Sequence, residues 1–255
     1  ALYSNISDVL AMGAQPVFYL VTAGIPAKIS SGEMDRMYRG LDRVAREFGV
    51  ILLGGDTVAT ARDLFIDISV IGKLAAKRYF GRDKARRGDL IAVTGKLGEA
   101  ALGLRALKER GDAKGLKGCI RRFLSPRPPY ALWKEIVKND ITDAMMDVSD
   151  GLILDLSRMM KESRKQARIH WEKVPVPRPL RQRGLEDLAF GGGEDYQLLF
   201  TFPRDKLPVV EAMIERGRPV TVIGEVVSGR GVRVLRHGSE ITPPRGGYDH
   251  FGGKV

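Results

Sequence analysis

Apolar and polar positions follow two patterns along the chain. Apolar residues that recur every three or four positions predict amphipathic helices, and short continuous apolar runs predict strands. The amino-terminal part is predicted to contain a helix over 6–14, a strand over 17–21, a helix capped by Ser31 and ended by Gly49, a buried strand over 50–53 and a strand over 64–71.

A charged segment with two glycines, from Lys73 to Asp89, predicts a linker between two domains, 1–82 and 83–255. The second domain is predicted to contain strands over 90–94, 144–146, 167–171, 197–202, 220–223 and 232–235, helices over 99–110, 130–138 and 206–216 and another after Gly151, and a basic surface loop over 174–183. Strands and helices alternate without a continuous βαβ period, so the predicted fold class is α+β rather than a doubly wound sheet.

The run Asp147-Val148-Ser149-Asp150-Gly151 places two carboxylates and a hydroxyl where an apolar strand gives way to a helix. We expect Ser149 or Asp150 to cap that helix, whose first amides and dipole favour a phosphate. Two neighbouring acids repel each other unless a cation lies between them, and hard oxygen ligands at a turn suit Mg²⁺. The turn predicts a metal and phosphate site, with a capped helix and one solvated acid as the alternative.

Three further segments carry acids, two of them next to glycines. Asp8 lies on the first predicted helix, Asp56 follows Gly54-Gly55, and Glu194 and Asp195 follow three glycines. Glycines beside acids at strand ends let backbone amides approach a phosphate, while the carboxylates hold the metal that neutralises it. Each segment alone also fits an ordinary turn, and the four together predict phosphate chemistry with metal ions.

Composition narrows the class of partner. The chain has 42 Lys and Arg against 31 Asp and Glu, a formal net charge of +11, which favours an anionic ligand. Its basic residues are not interleaved with aromatics as a nucleic-acid surface requires, so we expect a phosphorylated small molecule and no nucleic acid. No apolar run reaches the roughly eighteen residues of a membrane helix. The single cysteine, Cys119, excludes an intrachain disulfide and fits a reducing cytoplasm.

Six segments, in this order, resemble the thiamine-monophosphate kinase family. They are Ser7-Asp8-Val9-Leu10-Ala11-Met12-Gly13-Ala14-Gln15-Pro16, Gly54-Gly55-Asp56-Thr57, Val93-Thr94-Gly95, Asp147-Val148-Ser149-Asp150-Gly151-Leu152, Gly192-Gly193-Glu194-Asp195-Tyr196 and Gly247-Tyr248-Asp249-His250-Phe251. The first segment and the central turn are shared with the wider superfamily of aminoimidazole ribonucleotide synthetase and selenophosphate synthetase. The resemblance implies a two-domain α+β fold of that superfamily, and a homodimer whose amino-terminal domains form a shared sheet.

The resemblance also implies an activity and a set of site residues. The implied reaction is ATP-dependent phosphorylation of thiamine phosphate to thiamine diphosphate, by direct in-line transfer with several Mg²⁺ ions. By motif position the implied metal ligands are Asp8, Asp56, Asp147 and Asp150, the ATP contacts are Gly55, Asp56, Arg82 and Ser149, and the substrate contacts are Glu194 and the residue at Arg245. The nucleophile is a phosphate oxygen that is already anionic, so no acid or base residue is expected, and Asp150 acts electrostatically.

Two departures from the family pattern bear on these expectations. The pattern begins earlier, with a Gly-Asp-Asp segment, further metal-binding acids and a substrate-contacting His, and this front part is missing from these 255 residues. Either it lies outside them or the protein lacks it, in which case the metal cluster is incomplete. Where the family usually has a Trp against the substrate, this chain has Arg245, and a cation there disfavours the cationic thiazolium. The alternative is a non-catalytic or different-substrate nucleotide-binding member of the same superfamily.

Overall fold

The computed structural model describes residues 1–109, 115–244 and 247 of the chain. Its helices are α1 Leu2–Ala11, α2 Ser31–Phe48, α3 Glu99–Lys108, α4 Lys117–Leu124, α5 Tyr130–Lys138, α6 Leu152–Ser163, α7 Arg178–Arg181, α8 Leu188–Gly191 and α9 Leu207–Glu215. Its strands are β1 Ala14–Pro26, β2 Ile51–Thr60, β3 Phe65–Leu74, β4 Leu90–Thr94, β5 Ala144–Val148, β6 Gln166–His170, β7 Gln197–Phe202, β8 Val220–Val227, β9 Gly231–Arg236 and β10 Ser239–Ile241.

The first three strands form a small sheet in the order β2-β1-β3. Helix α2 covers one face of it, and Tyr19, Val21 and Ile68 of the sheet share a buried cluster with that helix. The helix is capped by Ser30 rather than by the predicted Ser31, because the Ser30 hydroxyl accepts from the Glu33 amide while the Glu33 carboxylate accepts from the Ser30 amide.

The predicted burial of the strand over 50–53 is confirmed for Val50 but is wrong for the other three residues in the single chain. Nine of the ten residues of β2 are exposed, and Ile51 and Leu53 keep 58% and 54% of their surface accessible. The strand lies at one edge of the small sheet, with a neighbouring strand on one side only. Its apolar side chains, which predict a core strand, are therefore exposed.

The other seven strands form a second sheet in the order β10-β9-β6-β8-β4-β7-β5, which is antiparallel except for the β6–β9 pair. This confirms the α+β class. Strands β4, β5 and β7 are completely buried. In the β5–β7 pair Val148 faces Gln197, so β4 and β5 end at the edge of the sheet where β7 begins. We call this the site edge.

The segment predicted to link two domains is packed against both halves of the molecule. The amides of Ala75 and Ala76 donate to the carbonyl of Gly13, and Phe80 is 1% exposed. One hydrophobic cluster also joins residues of the small sheet with β4, α5 and β7 of the large one. The boundary at 82/83 stays a prediction, and the two halves share a core.

Other differences follow from local packing. The predicted surface loop over 174–183 buries Val174, Val176 and Leu180 and contains α7. Helix α4 is not predicted by the apolar spacing, because Cys119 is its one fully buried side chain. Within the described part of the chain, no helix is long and apolar enough to cross a bilayer.

Candidate functional site at the sheet edge

A hydrogen bond joins the first helix to the central turn. Ser7 of α1 is fully buried, and its hydroxyl donates to Oδ2 of Asp147 at 2.7 Å. Asp147 is the fourth residue of β5 and 3% exposed. Burial raises the pKa of its carboxyl to about 7, and the carboxylates of Asp8 and Asp155 also raise it, whereas the Ser7 bond lowers it.

Two other predicted site residues lie near this bond. Asp8, the neighbour of Ser7, is exposed, and partial loss of hydration raises the pKa of its carboxyl. The guanidinium of Arg82 lies close enough to lower that pKa. The structure brings Asp8, Asp147 and Arg82 together from α1, β5 and the segment after β3.

The central turn is held by a residue that the sequence reading missed. Helix α6 begins after Gly151, and Oδ2 of Asp155 accepts the amides of Ser149, Asp150 and Gly151 at 3.1, 3.0 and 3.1 Å. The expected cap by Ser149 or Asp150 is corrected, since Asp155 reaches back from the first turn of the helix. The sequence does place Asp155 four residues after Gly151. The apolar residues around it have helical spacing, so it is predicted only as a polar position of that helix.

The glycine-rich loop closes on the same turn. The amide of Glu194 donates to the Ser149 carbonyl at 2.8 Å, and the amide of Tyr196 donates to the Val148 carbonyl at 2.9 Å. A Cβ at Gly193 would lie 2.3 Å from the Ser149 carbonyl oxygen, so only glycine permits this approach. Glu194 is exposed and its carboxylate lies 3.4 Å from the Tyr196 hydroxyl, which puts it at the site edge.

The second acid of that loop has a structural role. Asp195 is 8% exposed, and its carboxylate accepts the amides of Gly98 and Ala100 at the start of α3, the latter at 3.2 Å. Burial raises the pKa of Asp195 to about 7, and the two amide bonds lower it. The two acids of this segment, which was expected to serve phosphate chemistry, therefore have different roles. Asp195 caps a helix, and Glu194 is exposed.

Asp56 lies on a strand of the small sheet, whereas Asp147 lies on a strand of the large one. It is exposed on β2 beside Thr22 of β1. Its carboxylate accepts the Thr57 amide at 2.8 Å. A Cβ at Gly55 would lie 1.7 Å from the Val21 carbonyl oxygen, so the close pairing of β1 and β2 requires glycine there whatever its contact with a nucleotide.

The donors at the site edge suit a hard cation in part. They are oxygen atoms, and the mutual repulsion that helps to raise the pKa of Asp147 is what a bound divalent ion relieves. Asp150 is half-buried and already pairs with Arg158. Among residues 1–109, 115–244 and 247, no group of three or more His, Cys, Asp or Glu side chains is arranged to hold a metal. The four-acid metal set stays a prediction.

Two expectations lie outside the described residues. Arg245 is not described, and neither is the terminal segment Tyr248-Asp249-His250-Phe251. The predicted substrate contact at Arg245 therefore rests on the sequence.

Two family models together match most of the chain. The family described as AIR synthase related protein, N-terminal domain, matches residues 1–74, and AIR synthase related protein, C-terminal domain, matches residues 86–237. These matches cover the small sheet with its helices and nearly all of the large sheet.

Two curated relatives are both named thiamine-monophosphate kinase. The thiamine-monophosphate kinase of Buchnera aphidicola subsp. Schizaphis graminum is 31% identical over 256 residues, covering 97% of this chain and 78% of the relative. That of Escherichia coli (strain K12) is 33% identical over 262 residues, covering 98% and 78%. Among solved structures, AaThiL complexed with AMPPCP and TMP superposes with a TM-score of 0.85 at 30% identity, covering 98% of this chain and 79% of that one.

Proposed function

The chain belongs to the thiamine-monophosphate kinase family of AIR synthase related proteins, and we propose that it phosphorylates thiamine phosphate to thiamine diphosphate with ATP. Relatives of that name match it over nearly its full length, and a structural neighbour is a complex with AMPPCP and TMP. The observation that carries the proposal is the meeting of three family segments at the site edge, through the Ser7–Asp147 and Glu194–Ser149 bonds.

The chemistry requires that two anionic phosphates approach each other. Direct in-line transfer between phosphates needs positioning and neutralisation of charge rather than a strong base. Bound Mg²⁺ would supply most of that neutralisation, and we assign to it the carboxylates of Asp8, Asp56, Asp147 and Asp150. Ser7 favours the ionised form of Asp147, and Arg82 offers a positive charge beside Asp8.

The remaining assignments concern nucleotide and acceptor. We assign Gly55, Asp56, Arg82 and Ser149 to the nucleotide. We assign Glu194 to the aminopyrimidine of thiamine, since its exposed carboxylate lies at the site edge. Cys119 has no part in the reaction, because it is buried and burial raises the pKa of its thiol. The single cysteine supports a cytoplasmic enzyme.

A homodimer is part of the proposal. The face of the small sheet away from α2 exposes apolar side chains, among them Leu20, Ile51, Leu53 and Ile71 at 37% to 58%. Open edge strands with apolar side chains favour pairing with a second chain. In the full gene product, light scattering should give twice the chain mass. Leu53→Asp should give monomers, whereas Leu124→Asp, a 67% exposed leucine on α4, should not. A monomeric wild-type protein would overturn this part.

The activity is tested with the full gene product, ATP, Mg²⁺ and thiamine phosphate, with thiamine diphosphate measured by chromatography. We expect product to form in step with ADP, and chelation of Mg²⁺ to stop it. Calorimetry with ATP distinguishes the alternatives. ATP binding without thiamine diphosphate formation would indicate a non-catalytic member, or one with a different substrate. Absence of both would remove the nucleotide assignment as well.

A further inference from the structure

A buried carboxylate directs its bonds to the central turn, yet none of the assigned roles belongs to it. Asp155 on the first turn of α6 is completely buried. One of its oxygens accepts three consecutive amides, those of Ser149, Asp150 and Gly151, at 3.0 to 3.1 Å. Bonds from amides to a carboxylate are stronger than bonds between neutral groups, and three on one oxygen fix the backbone of the turn.

A second residue extends this arrangement to a side chain of the site. Arg158 lies one turn further along α6, and its Nη1 is 2.9 Å from the other oxygen of Asp155. The same nitrogen pairs with Oδ2 of Asp150. Asp155 therefore orients Arg158, and Arg158 orients the Asp150 carboxylate, leaving the second oxygen of Asp150 for another partner.

We propose that Asp155 and Arg158 are positioning residues, which hold Ser149 and Asp150 in the geometry that the nucleotide and its metal ion require. The inference rests on the proposed function, since that function assigns Ser149 and Asp150 to those ligands. Partners that orient metal ligands typically contribute about 10- to 100-fold to affinity or activity. Asp155 acts through the backbone of the turn, and Arg158 acts through one carboxylate.

The test uses the full gene product and four variants. Asp155→Asn keeps the size of the side chain but removes its charge, and Arg158→Gln removes the ion pair that Arg158→Lys partly restores. Asp89→Asn is the matched control, because Asp89 is also buried and accepts the Arg86 amide and the Thr201 hydroxyl, but at the opposite end of β4. The readouts are hydrogen exchange of the 149–151 amides without metal or nucleotide, the Kd for ATP with Mg²⁺, and separate kcat and KM values.

We expect Asp155→Asn to speed exchange of the turn amides at least 10-fold and to raise the Kd for ATP by a similar factor. Arg158→Gln should raise that Kd with little change in exchange, and Arg158→Lys should recover part of the affinity. Asp89→Asn should lower the melting temperature while leaving turn exchange and ATP affinity as in the wild type. Unchanged turn exchange in Asp155→Asn, or an equal loss of affinity in Asp89→Asn, would overturn the proposal.

Two further outcomes are also informative. If Asp155→Asn does not fold, a wild-type ATP affinity in Arg158→Gln overturns the proposal, and a loss that Arg158→Lys reverses supports it. If the wild type forms no thiamine diphosphate, the proposed function fails, whereas hydrogen exchange of the metal-free turn still decides whether Asp155 holds it.

Discussion

The hydroxyl of Ser7 and the carboxylate of Asp147 lie 2.7 Å apart although 140 residues separate them in the chain. This buried bond connects the helix that precedes the small sheet to the end of β5, an edge strand of the large one. It also lowers the pKa of the Asp147 carboxyl, which burial raises. The same bond therefore joins the two halves of the molecule and favours the ionised form of a candidate metal ligand.

Ser7→Ala should lower the free energy of unfolding by about 1–3 kcal/mol, because it leaves a buried carboxylate without its hydroxyl donor. It should also raise the pKa of Asp147, so the acid limb of the activity profile should move to higher pH. Urea unfolding measures the change in unfolding free energy, and rates of thiamine diphosphate formation across pH measure the shift of the acid limb. The control is Ser157→Ala, whose hydroxyl bonds the Ile153 carbonyl within its own helix. Equal effects in the two variants would contradict a specific role for Ser7.

Asp150→Asn should abolish Mg²⁺-dependent formation of thiamine diphosphate, because the carboxylate charge at the turn is lost. The fold should stay intact. Circular dichroism verifies the fold, and product chromatography measures turnover. Asp140→Asn is the matched control, since Asp140 pairs with Lys77 and Arg78 beyond the opposite end of β5. Turnover by Asp150→Asn near the wild-type rate would refute the assignment.

Asp195→Asn should change how stability depends on pH. The pKa of Asp195 is about 7 in the folded chain against 3.8 for the ordinary carboxyl, so between these values the folded state binds more protons. Its contribution to stability is present below about pH 4 and is lost as pH rises through 7, at up to about 1.4 kcal/mol per pH unit.

Urea unfolding of wild type and Asp195→Asn at several pH values measures this contribution. The difference in unfolding free energy, wild type minus variant, should fall between pH 4 and 7 and level off above. Asp42→Asn removes an exposed acid of α2 and serves as the control for the loss of a surface carboxylate. A flat difference for Asp195→Asn would mean that the amide bonds of Gly98 and Ala100 fully offset burial.

Gly55→Ala should cost about 3 kcal/mol or more, because the added Cβ would lie 1.7 Å from the Val21 carbonyl oxygen and push β2 away from β1. Gly40→Ala in α2 is the control. The space around Gly40 is open within the described structure, so that change should be neutral or stabilise by up to about 1 kcal/mol. Thermal unfolding compares them, and equal melting temperatures would contradict the close approach of the two strands.

Arg245→Trp should tighten binding of thiamine phosphate by roughly 2- to 5-fold, since an aromatic ring attracts the cationic thiazolium and a guanidinium repels it. Calorimetry measures the Kd, and Arg230→Trp on the turn after β8 is the control for an added aromatic ring. Unchanged or weaker binding would count against a substrate contact at this position.

Local sequence patterns predicted much of the fold. Strands β4 and β7 and helix α5 match the predicted bounds, because continuous apolar runs and helical spacing are formed by neighbouring residues. The family resemblance also selected Ser149, Asp147 and Glu194, which the structure brings to one edge. The pattern failed for β2, where an apolar run indicates contact with other atoms but does not specify whether they belong to the same chain.

The sequence by itself determined the α+β class, the family and the residue types of the candidate site, since these are written in short segments and their order. Only the tertiary structure decided that Asp155 rather than Ser149 or Asp150 binds the turn amides, that Asp195 caps α3, and that Asp56 and Asp147 lie on different sheets. The physical reason is that a carboxylate binds whichever donors the fold brings within about 3 Å, and separation along the chain does not reveal those partners.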